Sequence, residues 1–456
     1  MGIETKKAAA LSFFLILSLG VIISAAAQTD APTQAILAEV SRLMERREYP
    51  AALELFDKIN ANVMQTPQIQ ILRASLLNSA GRPADARAIA SGIISRDPNN
   101  ADALLVLASS AAAEGKEREQ RTLLERVVKI DPGNLKALSD LGYIALRANS
   151  LRIAAGHFDK ALAKDSNYRE AVVGRGIVYR YARDPKKAEQ LFNRAIRQNP
   201  QWAMPLHERA RLYKGAGFPE DALRDMDAAK KLDPGNYWIS VDRAATLIDL
   251  NRKPEALEEL NRATALDPNN FLAYVYRAGI NDESGDYRGA ERDYQALLKL
   301  KPDYYFAAEG LGIIKMRNGQ NLEARDAFLA AYKQAPKEYR YALLAAINWM
   351  KGGKPADPKQ FLAQVLRTAP RDSADWQLLR MYHDLSGDLE TVAKANLEQN
   401  FDTKSKMLFY IACYYDVRGN KTLANNFLLQ VKEMNRVSTI EWKINELMIA
   451  ERGINQ

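Results

Sequence analysis

Apolar and polar positions along this chain repeat every 34 residues, and within each period the helical spacing occurs twice. Small residues recur at the eighth position of the period, at Gly142, Gly176, Ala210, Ala244, Ala278, Gly312 and Ala346. They recur again at the twentieth, at Ala86, Ala154, Ala188, Ala222, Ala256, Ala290 and Ala324. Bulky side chains face them from the twenty-fourth, at Phe56, Leu124, Phe158, Phe192, Met226, Leu260, Tyr294 and Phe328. The pattern predicts two short helices per period that approach closely where the side chains are small. Gly81, Gly115, Gly217, Gly285, Gly319 and Gly353 share one beat between the two helices. A glycine there can end a helix in the left-handed conformation, and so short a connection makes the pair antiparallel.

A proline closes most periods: Pro98, Pro132, Pro200, Pro234, Pro268, Pro302, Pro336 and Pro370, with Ser166 on the one missed beat. Ten units run in phase from Thr33 to Asp372. The ends depart from the pattern. Unit 33–66 lacks the turn glycine and the proline, and Pro355 and Pro358 should shorten the second helix of unit 339–372. The unit from 373 is two residues short, because Gly419, Ala424 and Leu428 place the next start at 405. Ser438-x-x-Glu441 reads as a capping box that opens a final amphipathic helix.

Composition agrees with an all-α chain. Hydrophobic residues make up 47% and aromatics 8%, with Ala, Leu, Arg, Glu and Lys prominent. The first residues carry a different signal: Lys6 and Lys7, an apolar run Ala8 to Ile23, and Ala25-Ala26-Ala27 before Gln28. That order reads as an export signal cleaved after Ala27. The rival is a retained anchor, for which the apolar run is short against the roughly 20 residues a span needs. Without residues 1–27 the net charge of +8 becomes +7, because Lys6, Lys7 and Glu4 leave. No aromatic-basic motif accompanies this mild excess, so nucleic acid is not the expected partner.

Catalytic and metal-binding patterns are missing. His157, His207 and His383 lie in different units, and Cys413 is the only cysteine. Cys413 reads as a buried, inert thiol. Gly174-Arg175-Gly176 lies inside a helix pattern and forms no nucleotide loop. No catalytic residue, metal or cofactor is expected, and the chain reads as a non-enzyme.

The recurring small residue at eight, Ala at twenty, aromatic at twenty-four and Pro at thirty-two resembles the tetratricopeptide repeat, in the manner of exported bacterial members. The resemblance covers nearly the whole chain after residue 32. It implies a right-handed superhelical α-solenoid of about twelve helix pairs with a C-terminal capping helix, the first helix of each pair lining a concave groove. The layout expected is a signal peptide at 1–27, a linker at 28–32, ten in-phase units at 33–372, two divergent units at 373–438 and a capping helix and tail at 439–456.

On the family's geometry, positions 2, 5, 6, 9, 12 and 13 of each first helix face the groove. The lysine at five and asparagine at nine that clamp a peptide carboxylate in one known mode occur in none of the units. The groove candidates are Tyr143, Arg147, Arg180, Tyr181, His207, Arg211, Lys214, Trp238, Asp242, Asp249, Leu272, Tyr276, Asp282, Glu283 and Phe306. Trp238, Leu272 and Phe306 would form an apolar rail beside an acidic band. Arg73, Arg175, Arg209, Arg243 and Arg277 share position seven; they read as internal ion pairs with Asp225, Glu259 and Asp293 at position twenty-three, in preference to an anion-binding ladder. The expected function is a scaffold in the periplasm or cell envelope that binds protein or peptide segments in this groove. The alternative is an adaptor for assembly or export of an envelope polymer, and membrane contact is expected only if the N-terminal segment is retained.

Overall fold

A computed structural model describes residues 31–46, 48–353 and 357–454; the export segment, most of the linker and Pro355 lie outside them. The described residues hold 26 helices and no strand. They form twelve helix pairs, one four-residue helix at Ala61–Met64, and a last helix at Ile440–Arg452. The fold is an α-solenoid. It divides into two compact units, one ending at Asp267 and one starting at Pro268, although the 34-residue beat passes through that point unbroken.

Backbone geometry explains the glycine beat. All six glycines of the beat have positive φ, from 72° at Gly319 to 85° at Gly217, and so do Gly387 and Gly419 in the divergent pairs. Where the described beat lacks glycine the chain takes the same conformation, at Asn149 (55°), Arg183 (59°) and Asn251 (57°). Asparagine tolerates it; a long side chain such as Arg183 is strained by roughly 1 kcal/mol.

The proline turn is explained by hydrogen bonds. Asn100, Asn134 and Asn270 cap the next helix, accepting the N–H of Ala103, Ala137 and Ala273 at 3.0–3.1 Å. The side-chain amides of Asn100 and Asn134 are tied back in turn, donating to Asp97 and Asp131 at 3.2 Å. One unit later an arginine reaches back to the beat residue's carbonyl: Arg126 to Pro98, Arg194 to Ser166 and Arg262 to Pro234, at 2.7–3.1 Å. That bond uses a backbone oxygen, so Ser166 serves as well as proline.

Packing follows the small-and-bulky pattern and extends it. Phe158, Phe192 and Phe328 are fully buried. A Cβ at Gly142, Gly176 or Gly312 would stand 2.6–2.7 Å from the ring of Phe158, Phe192 or Phe328 respectively. The next unit also yields space: a Cβ at Gly174 would fall 2.3 Å from Phe158, and one at Gly310 2.5 Å from Tyr294. Gly174-Arg175-Gly176 thus exists to seat two phenylalanines inside the helix Arg169–Tyr181. Filling either gap costs about 1–3 kcal/mol through overpacking.

The irregular ends show their causes. The second helix of the first pair, Tyr49–Phe56, has eight residues where most later second helices have fourteen. Asp357–Leu366 has ten, with Pro358 in its first turn, where a missing N–H is tolerated. The last helix corrects the capping box read at Ser438. Its N-cap is Thr439, whose hydroxyl accepts the Trp442 N–H at 3.2 Å. Glu441 does not reach back to the cap; it is buried, accepts the Tyr410 hydroxyl at 3.3 Å, and lies 4.0 Å from Arg340.

Candidate functional site

In the unit ending at Asp267, candidate residues on successive first helices meet as a chain of charges. Arg180 pairs with Glu208 at 3.0 Å, Arg211 with Glu208 at 2.9 Å and with Asp242 at 2.6 Å, and His207 Nε2 with Asp242 at 2.7 Å. Lys214 pairs with Asp249 at 3.3 Å on the next first helix. Burial would raise the Asp242 carboxyl, but Arg211 and His207 outweigh it and hold it well below the usual carboxylate range. Glu208 is held down likewise, its burial offset by Arg211 and Arg180. Arg147 turns instead to Glu117 at 3.1 Å. Tyr143 is committed to packing: its hydroxyl donates to the Glu170 carbonyl at 3.0 Å and its ring meets Phe158 edge-on at 5.2 Å. Tyr181 is 53% exposed, its ring 4.5 Å beneath the Arg180 guanidinium. Trp238 is half-buried, its ring 4.7 Å from Tyr237. Most of the charged candidates are therefore matched by their own neighbours, and Tyr181 is the exposed aromatic among them.

The unit from Pro268 holds a cavity of about 460 Å³. Of the candidates here, Asp282 and Phe306 line it, whereas Leu272, Tyr276 and Glu283 do not. Phe306 is 52% exposed at its edge, tilted against Tyr305 at 4.2 Å and 5.7 Å from Tyr304. Across from it stands the segment Val437 to Lys443. Lys443 Nζ lies 2.5 Å from Asp282, which also accepts the Tyr294 hydroxyl at 3.2 Å. Asp282, a groove candidate, has a side chain only 9% exposed and is paired with a lysine 161 residues further on. The sequence reading also missed Glu309, which accepts the Tyr341 hydroxyl at 2.5 Å. Glu309 stands at position five, a groove position by the repeat's own numbering, so its signal was available; that of Lys443 was not.

The position-seven arginines are internal pairs, as expected, and reach in two directions. Arg209, Arg243 and Arg277 meet Asp225, Glu259 and Asp293 in their own unit at 2.7–3.1 Å. Arg175 and Arg243 also reach back to Asp159 and Asp227 of the preceding unit, both at 2.7 Å. Cys413 is buried beside Met448, and burial pushes its thiol up to about 12. No group of His, Cys, Asp and Glu among the described residues could hold a metal ion. No helix among them is long and apolar enough to cross a membrane.

A search of the curated proteins found no match. Among solved structures, the chain is similar to the P58(IPK) TPR domain, at 18% identity over 82% of this chain and 99% of that one, with a TM-score of 0.34. It is similar to a tetratricopeptide repeat protein from Parabacteroides merdae, at 17% identity over 55% of this chain and 99% of that one, TM-score 0.43. It is also similar to PilW, a type IV pilus biogenesis factor, at 21% identity over 46% of this chain and 98% of that one, TM-score 0.40. Residues 76–316, just over half the chain, match the family described as the ETO1 C-terminal domain. With its helix pairs, its turn beat and its small-and-bulky packing, the chain belongs to the ETO1 C-terminal domain family and is a tetratricopeptide-repeat protein.

Proposed function

We propose that this protein is a non-catalytic scaffold outside the cytoplasm that holds segments of envelope proteins against its first-helix face. The observation that carries the reading is the solvent-edged cavity between the first helices and Lys443, with Phe306 half exposed on its rim. Cavities of about 300–1,000 Å³ lined by aromatic groups and a few placed polar ones are where proteins bind ligands. Tyr181 supplies a second exposed aromatic on the other unit, of the kind that anchors a partner. Residues 1–27 act as the export signal, the ten in-phase units and the two divergent ones as the binding body, and the last helix as its end. Support for export is the order of charge, apolar run and Ala25-Ala26-Ala27.

Affinity capture after mild cross-linking tests both parts. Phe306→Glu and Tyr181→Glu should each lose a subset of the partners held by the unaltered protein, while Ile153→Glu, on a second helix and 59% exposed, keeps them all. The purified chain should begin at Gln28. Equal recovery by all three variants would remove the first-helix assignment, and an intact Met1 in a cytoplasmic fraction would remove the export reading.

A further inference from the structure

The cavity of the second unit carries more carboxylates than cations. Asp282, Glu309 and the buried Glu441 stand in and behind it against Lys443 and Arg340, and Arg340 is shared with Glu338 at 3.0 Å. Lys443 is spent on Asp282. Glu309 has only the Tyr341 hydroxyl, and burial pushes its carboxyl up despite the more distant Arg340 and Lys443. A carboxylate taken partly out of water with no cation of its own is stabilised by one brought to it. The remaining wall suits the stem of such a ligand. Tyr304 is held edge-on by Phe271 at 4.7 Å and stands 5.7 Å from Phe306, presenting two aromatic rings beside the acidic end. Aromatic faces next to carboxylates attract ammonium and guanidinium groups. Lys443 already shows the mode, since its stem crosses from the opposite segment to place an ammonium on Asp282.

We propose that this cavity takes a lysine or arginine side chain from the partner segment, its charge set on Glu309 and its stem along Tyr304 and Phe306. The inference rests on the scaffold reading and names the chemistry the scaffold selects. Lys443 is then an internal competitor, and removing it opens Asp282 to the same ligand.

The test uses the full mature chain and an array of ten-residue peptides of varied composition. The expected result is a bound set sharing one basic position. For a chosen arginine peptide, Glu309→Gln should weaken binding tenfold or more, and norleucine in place of the arginine should weaken it equally on the unaltered protein. Lys443→Met should tighten binding of the arginine peptide and leave the norleucine peptide unchanged, a gain that misfolding cannot produce. If Glu309→Gln unfolds, the norleucine comparison and the Lys443→Met gain decide the matter. Bound peptides with no shared basic position would overturn the basic-side-chain assignment and leave the scaffold intact. No peptide held above a bare-matrix control would overturn both.

Discussion

Among the described residues of the turn beat, Arg183 is the long side chain with positive φ, at 59°, and it concentrates the logic of the repeat in a single residue. Its backbone must do what Gly217 does at 85°, where an added Cβ would meet nothing within 4 Å. The two positions therefore isolate conformational cost from packing. Arg183→Gly should raise stability by about 0.5–1 kcal/mol, and Gly217→Ala should lower it by roughly 1 kcal/mol, both read by thermal unfolding. Shifts of the same sign in both would show that the beat is set by side-chain contacts. The beat was legible in the sequence because it is local: the turn residue alone reports its φ. So was the pairing of Arg209 with Asp225, which needs only the two helices of one unit.

Between helices, the charge chain Arg180–Glu208–Arg211–Asp242–His207 couples three successive pairs of the first unit. Asp242 and Glu208 are held below their unfolded values of about 4. Their contribution is therefore complete above about pH 5 and is lost as pH falls through the folded values. Arg211→Met removes the largest attraction on both and leaves burial to raise them. We expect acid unfolding to begin at higher pH and stability at neutral pH to fall by roughly 1–3 kcal/mol. An unchanged acid midpoint would mean that the chain of charges is loose at its ends. The sequence showed Arg180, His207, Arg211 and Asp242 as groove candidates, but not Glu208 that joins two of them, nor any of them as one another's partners. Position in the repeat tells which face a side chain occupies, while its neighbour on the next helix depends on rotamers that the beat does not encode. The capping box at Ser438 failed because the helix starts one residue later, at Thr439, which takes Glu441 out of the box's register and leaves it facing Tyr410 and Arg340.

Within each compact unit the repeat encodes how each pair stacks on the next, and that much could be read from periodicity. The closure of the second unit, in which Lys443 meets Asp282, could not. It depends on small rotations summed over five helix pairs, two of them with shortened second helices at Asp357–Leu366 and Asp388–Leu397. That closure turns a row of first helices into a cavity, the place the proposed function assigns to a partner. The most direct measurement is photo-cross-linking in living cells, with a benzophenone side chain placed singly at Phe306, Tyr181, Ile153 or Leu389. The first-helix positions Phe306 and Tyr181 should yield discrete adducts with partner proteins, and the second-helix positions Ile153 and Leu389 should yield none. Adducts from Ile153 and Leu389 with none from Phe306 and Tyr181 would contradict a scaffold that works through its first-helix face.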